Sequence, residues 1–179
     1  NFEAIVAKAG PAGQYSEQAR YYIGQAYLQL AGREENSPEQ EELLCRKALE
    51  YGQQQAYMGL YFINAQKTPE AALEYLRLYT LSSPSDSVPY VILGENELDK
   101  GNYGAADIFL REAKRVARAQ SPRVDWMLFQ ANYLMKNYDF AGEMLGRALE
   151  NGKFEKELKT LLAEKEFRGI VKRPEFKKY

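Results

Sequence analysis

Tyr90-Val91-Ile92-Leu93-Gly94-Glu95-Asn96-Glu97-Leu98-Asp99-Lys100-Gly101-Asn102-Tyr103-Gly104-Ala105-Ala106-Asp107-Ile108-Phe109-Leu110-Arg111-Glu112-Ala113 decides the fold of this 179-residue chain. Gly94 lies in one apolar helical stretch, Gly101-Asn102-Tyr103 turns the chain, and Ala106, Leu110 and Ala113 form a small-large-small row on the next. Glycine or alanine lets two helices approach closely, and the large residue fills the gap that the small ones leave. Outward from this hairpin the same phases recur every 35 residues. Gly24, Gly59 and Gly94 each follow a medium-sized apolar residue, namely Ile23, Met58 and Leu93. Further rows are Ala71, Ala106 and Ala141; Tyr75, Leu110 and Leu145; and Leu78, Ala113 and Ala148. A step of this length with small residues at fixed phases predicts stacked helical hairpins. No segment sustains a period-2 alternation, so no strand is predicted.

Prolines and small polar residues punctuate the hairpins. Ser37-Pro38-Glu39 and Thr68-Pro69-Glu70 each read as an N-cap, a first-turn proline and an acid. Proline lacks only an N–H that would be orphaned there, and the acid meets the positive end of the helix dipole. Ser87-Val88-Pro89 and Ser121-Pro122 open the next two hairpins, and Ser83 to Ser87 is a loop. Lys136-Asn137-Tyr138 repeats the Gly101-Asn102-Tyr103 turn 35 residues on. The predicted helices are 2–9, 16–31, 38–51, 54–65, 69–82, 87–100, 104–119, 122–136, 139–151, 153–164 and a short 165–171.

Composition narrows the chemistry. The chain has no histidine, which removes the commonest general base and transition-metal ligand. Its single cysteine, Cys45, cannot build a structural zinc site and reads as a small core residue. Gly10-Pro11-Ala12-Gly13 lacks the Lys-Ser/Thr and the preceding strand of a phosphate loop. Glu34-Glu35 and Glu39-Glu41-Glu42 lack the ligand spacing of a calcium loop and read as a solvated loop and helix start. No stretch approaches the ~18 apolar residues of a membrane span. The net charge of -1 argues against non-specific nucleic-acid binding. From Lys153 onward there are nine Lys/Arg and five Glu, against fifteen and twenty before it, so an acidic body carries a basic end. The expectation is a protein that is not an enzyme, with no cofactor, no metal and no small-molecule substrate.

Residues Tyr90, Leu93, Gly94, Leu98, Gly101, Tyr103, Ala106, Leu110 and Ala113 resemble a tetratricopeptide repeat position by position. The fourth hairpin keeps Trp126, Tyr133, Tyr138, Ala141, Leu145 and Ala148, with Phe129 or Gln130 at the glycine position. The second keeps Gly59, Phe62, Ala71 or Ala72, and Tyr75 or Leu76. The first matches at Ala19, Ile23, Gly24 and Tyr27, but its inner loop is longer and its junction shorter. Its stretch Ala48 to Ala56 is similar to the Sel1-like branch of that superfamily. The resemblance implies an all-α fold: a right-handed α-solenoid of about four repeats over residues 16–151, in a single helical-repeat domain spanning 1–179. Residues 1–15 read as the remnant of a preceding helix, so a leading segment is expected before Asn1. Residues 152–179 read as a capping tail, with Phe154, Leu158, Leu161 and Leu162 on one apolar face. Glu166-Phe167 and Arg173-Pro174-Glu175-Phe176 are similar to tails that follow bacterial tetratricopeptide arrays.

Such repeats place each first helix on an inner wall. The positions left free there are Tyr21, Gln25 and Gln29; Ala56, Leu60 and Asn64; Val91, Glu95 and Asp99; Trp126, Gln130 and Leu134. A one-residue slip of register would bring Tyr57 and Tyr61 onto the wall and push Trp126 into packing. The expected partner is a protein segment or peptide, with a basic residue near Glu95 and Asp99. Gln, Leu and Glu occupy the positions of the family's carboxylate clamp, so no such clamp is expected. A second reading is a cell-envelope assembly factor resembling pilotin lipoproteins or outer-membrane machine accessories, which would grip a folded subunit by its convex face or basic tail. Periplasm or envelope is favoured over cytoplasm.

Overall fold

The computed structural model describes residues 2–8, 10, 14–118, 121–150 and 154–177. Asn1, Ala9, Pro11 to Gly13, Ala119, Asn151 and Lys153, which carry parts of the readings above, lie outside the described residues. The fold is all-α. Among the described residues ten α-helices follow one another: α1 Phe2–Ala7, α2 Glu17–Ala31, α3 Pro38–Glu50, α4 Ala56–Asn64, α5 Pro69–Ser82, α6 Val88–Asp99, α7 Tyr103–Ala117, α8 Pro122–Leu134, α9 Tyr138–Leu149 and α10 Glu155–Leu161. Two single-turn 3-10 helices, Ile170–Lys172 and Pro174–Phe176, close the chain, and the described residues contain no strand. None of the described helices is long and apolar enough to cross a membrane. The chain divides into two compact units, Asn1–Pro84 and Ser85–Tyr179, at the predicted Ser83–Ser87 loop.

In the first unit each helix packs on the next, from α1 through α5. Its core holds Ile23, Tyr27, Cys45, Ala48, Tyr51, Ala56 and Leu60. Ser37 caps α3 through a complete capping box with Gln40. Thr68 does not cap α5 with its side chain; its hydroxyl bonds Asn64 Oδ1 at 3.2 Å instead. Burial decides between the alternatives on α5: Ala72 and Leu76 are buried, whereas Ala71 is exposed. The row of small residues is therefore displaced by one position on this helix. Phe62 is 62% exposed, so the aromatic expected to pack there faces solvent.

The three glycines of the 35-residue row are all sites of close approach, but they meet different neighbours. A Cβ at Gly24 would lie 2.6 Å from Gln53 Cγ, at Gly59 2.7 Å from Cys45 Sγ, and at Gly94 2.6 Å from Leu110 Cγ. Gly24 thus faces the turn after α3, Gly59 faces α3 itself and Gly94 faces α7. Burial pushes the Cys45 thiol up to about 11, helped by Glu41 and Glu42, so the group under Gly59 is a neutral thiol. Gly59→Ala is expected to cost ~1–3 kcal/mol through the clash. In a Cys45→Ala background the same change should stabilise by up to about 1 kcal/mol, the helix propensity gained. Urea titrations of the four proteins read the sign; the same sign in both backgrounds would remove the close-packing account.

In the second unit α6 pairs with α7, α7 with α8 and α8 with α9. The turns after α6 and α8 are alike, as their sequences predict. Gly101 has φ 77° and Lys136 φ 65°. Asn102 N–H bonds Glu97 O and Asn137 N–H bonds Asn132 O, each at 2.8 Å, closing the helix ends in the same way. Nine of the thirteen α8 residues are buried, so this helix is the unit's centre.

The tail differs from expectation. No α-helix forms over 165–171. Instead i→i+3 bonds tie Phe167 N to Glu164 O, Ile170 N to Phe167 O and Arg173 N to Ile170 O. A three-residue turn eclipses side chains at i and i+3. That places Phe167, Ile170, Arg173 and Phe176 on one line, of which Phe167, Ile170 and Phe176 are buried. Arg173 lies over the Tyr138 ring at 3.4 Å. Phe154, Leu158, Leu161 and Leu162 also pack on the unit's core, as the sequence predicts.

Candidate functional site

One face of the second unit gathers five of the twelve wall positions selected from sequence: Glu95, Asp99, Trp126, Gln130 and Leu134. On α6, Glu95, Leu98 and Asp99 share a side; on α8, Arg123, Trp126, Met127, Gln130 and Leu134 follow helical spacing. Tyr103 of α7 and Phe154, Glu164 and Phe167 of the tail complete the lining. Together they line a cavity of about 400 Å3. A second depression of about 340 Å3 adjoins it and shares Trp126, Gln130 and Glu164.

Trp126 packs and lines the cavity at once. It is 8% exposed, stacks on Phe154 with centroids 5.3 Å apart and planes 12° apart, and lies 5.2 Å from Phe129. Glu95 is engaged by the chain's own Arg123, whose Nη2 donates to both carboxylate oxygens at 2.7 and 2.9 Å. Asp99 and Glu164 form no ion pair among the described residues. The lining therefore holds three carboxylates and one guanidinium beside aromatic rings. Carboxylates at the rim and rings at the wall suit a positively charged side chain, which gains both Coulombic and cation–π attraction.

The other sequence-selected residues are placed differently. Val91, one turn before Glu95 on α6, is half-buried against the unit's core. In the first unit, Tyr21 is 54% exposed and meets Tyr22 edge-on. Gln25 Nε2 donates to Gln53 Oε1 at 2.8 Å, and buried Gln53 in turn donates to the Tyr21 carbonyl. Leu60 is not on a wall: it is fully buried beside Ala56 and Cys45. Asn64 closes its own helix, donating to Leu60 O at 2.9 Å and accepting from Thr68. Tyr57 stacks on Tyr75, and Tyr61 meets Phe62 edge-on.

Seven lining residues have no wall position in the sequence: Leu98, Tyr103, Arg123, Met127, Phe154, Glu164 and Phe167, of which Arg123, Phe154 and Glu164 alter the chemistry most. Arg123 lies 28 residues from Glu95, and no local pattern pairs them. From sequence Phe154 reads only as cap. Among the described residues no group of three or more His, Cys, Asp or Glu is placed to hold a metal ion. No family model and no curated protein matches the chain.

Proposed function

We propose that the chain is a non-enzymatic protein-interaction module whose α2/α3, α4/α5, α6/α7 and α8/α9 hairpins are repeats of tetratricopeptide type, the elements of an α-solenoid. The α6/α8 face of the second unit takes a peptide or protein segment and seats a Lys or Arg side chain between Asp99, Glu164 and Trp126. The observation that carries this reading is the convergence of two unpaired carboxylates with aromatic rings on one open cavity. Helix pairing of each hairpin and the buried Ala106, Leu110 and Ala113 row support the repeat assignment. Selection of a random twelve-residue display library on the intact chain tests it. Recovered peptides should share a Lys or Arg beside an apolar residue. Asp99→Lys with Glu164→Lys should lower their affinity by roughly 10-fold or more, the loss of two close charge pairs. Recovered peptides without a common basic residue, or affinity unchanged in the double variant, would sink the proposal.

A further inference from the structure

Another side of the second unit carries a groove that shares no lining residue with the cavity above. It runs between α7 and α9 and encloses about 620 Å3. Its ridges repeat at helical spacing: Ile108, Arg111 and Arg115 on α7, and Phe140, Glu143 and Arg147 on α9. Ile108 is 68% exposed, an aliphatic side chain with little cover. Buried Leu128 and Met144 floor the groove, and Phe140 lies beneath Arg111 at 3.9 Å. The apolar lining is thus Ile108, Leu128, Phe140 and Met144, and the ridges that flank it span two turns of each helix, a length of roughly 10 Å.

The rim is rich in donors and poor in free acceptors. Arg111 donates to Asp107 through Nε alone, and Arg147 to Glu143 through Nη2 alone. Each guanidinium has five N–H groups, so most remain available. The acceptors are largely occupied. Both Asp107 oxygens are taken, by Asn132 and Arg111, and both Glu112 oxygens by Arg115. These rim pairs lie within single helices at i,i+3 or i,i+4, and the side chains of Arg111, Arg115 and Arg147 are 46, 68 and 41% exposed. Pairs of this kind hold only about 0.3–0.5 kcal/mol, so an incoming carboxylate can share or displace them. Lys114 also lines the groove, but its ammonium is held by buried Asp125.

We infer that the α7/α9 groove docks an acidic amphipathic helix of a partner protein. Its apolar face rests on Ile108, Phe140 and Met144, and its flanking carboxylates accept from Arg111, Arg115 and Arg147. Apolar floor and donor-rich rim together specify that chemistry: the rim carboxylates are already engaged by Arg111, Arg115 and Arg147, whose spare N–H groups meet partners on an acidic helix and none on a basic one, and a purely polar helix would leave Ile108 uncovered.

Two labelled eighteen-residue peptides test this. Both carry leucine at i, i+3, i+4 and i+7 on an alanine helix, one flanked by glutamates and the other by lysines. Fluorescence anisotropy with the intact chain should show the glutamate peptide binding roughly 10-fold or more tightly than the lysine peptide. Arg115→Glu with Arg147→Glu should abolish that preference, and both positions are exposed enough to leave folding intact. Asp99→Lys with Glu164→Lys should leave it unchanged, which separates this groove from the cavity on α6 and α8. Equal affinity for the two peptides, no binding of the glutamate peptide, or a preference that survives charge reversal overturns the inference. So does binding of phosphatidylglycerol vesicles that is lost on charge reversal while the glutamate peptide fails to bind.

Discussion

Truncation after Glu150 is expected to abolish the cooperative unfolding of the second unit and to leave an aggregating protein. The reason lies on α8. Trp126, Phe129 and Tyr133 sit along one side of this helix, and the tail covers them. Phe154 stacks on Trp126; Phe167 lies 6.1 Å from Phe129 and 5.0 Å from Tyr133; Phe176 lies 6.1 and 5.7 Å from the same two rings. Leu161, Phe167, Ile170 and Phe176 are each buried to 4% exposure or less. Burying a side chain of this size contributes ~1.5–3 kcal/mol, so these four together contribute roughly 6–12 kcal/mol. That equals the entire stability of a typical domain, about 5–15 kcal/mol. The exposed aromatic face would then drive association. Phe176→Ala is the gentler version and should cost ~3–5 kcal/mol while remaining soluble. Calorimetry with light scattering reads both; a truncated chain that melts like the full one would show that the tail is not part of the fold.

Lys114→Met is expected to lower the stability of the second unit by ~3–5 kcal/mol, and Lys114→Met with Asp125→Leu to recover most of the loss. Asp125 sits in the first turn of α8 with its side chain 2% exposed, and Lys114 reaches it from α7. The Lys114 ammonium also lies 3.7 Å from Met144 Sδ, so the pair is embedded in thioether and aliphatic surroundings. Removing the lysine alone strands a carboxylate among them, with only the N-terminal dipole of α8 to offset it. Removing both charges replaces the pair by apolar contact, which buried pairs tolerate. For a unit of this size the single change should lower Tm by roughly 15–30 °C. The lysine is 25% exposed, which puts the result at the lower end of that span. A double variant no more stable than the single one would mean that the pair is a bystander to the packing of α7 on α8.

Where sequence signals are local, they located structure closely. α5 runs Pro69–Ser82, the same range as read from Pro69 at its start and the Ser83-Pro84 stop at its end. The paired turns at Gly101 and Lys136 were equally plain. Leu60 was misplaced because α4 reads Ala56-Tyr57-Met58-Gly59-Leu60-Tyr61-Phe62-Ile63-Asn64, apolar on nearly every side. Periodicity selects a buried face only when the opposite face is polar. The tail was misread for a different reason. Phe167, Ile170 and Phe176 repeat at multiples of three rather than 3.6, and Gly169 and Pro174 interrupt an α-helix.

The cavity was half legible. Glu95, Asp99, Trp126 and Gln130 followed from phases on two successive first helices, which adjacency in the fold brought together. Glu164 and Phe154 reach it from the tail, a tertiary contact with no local signature. Arg123 alters the chemistry further: by engaging Glu95 it leaves Asp99 and Glu164 as the carboxylates open to a partner. The proposed affinity for a basic side chain therefore rests on those two residues rather than on Glu95.

Trp126 is the chain's sole tryptophan, and it lines the cavity. Its emission, excited selectively in a titration with a library-selected basic peptide, measures occupancy directly. The predicted result is a saturable change in intensity or wavelength that weakens as salt rises and disappears in the Asp99→Lys, Glu164→Lys variant. Saturable peptide binding with no change at Trp126, or with the same change in that variant, would contradict the assignment of the α6/α8 face as the binding site.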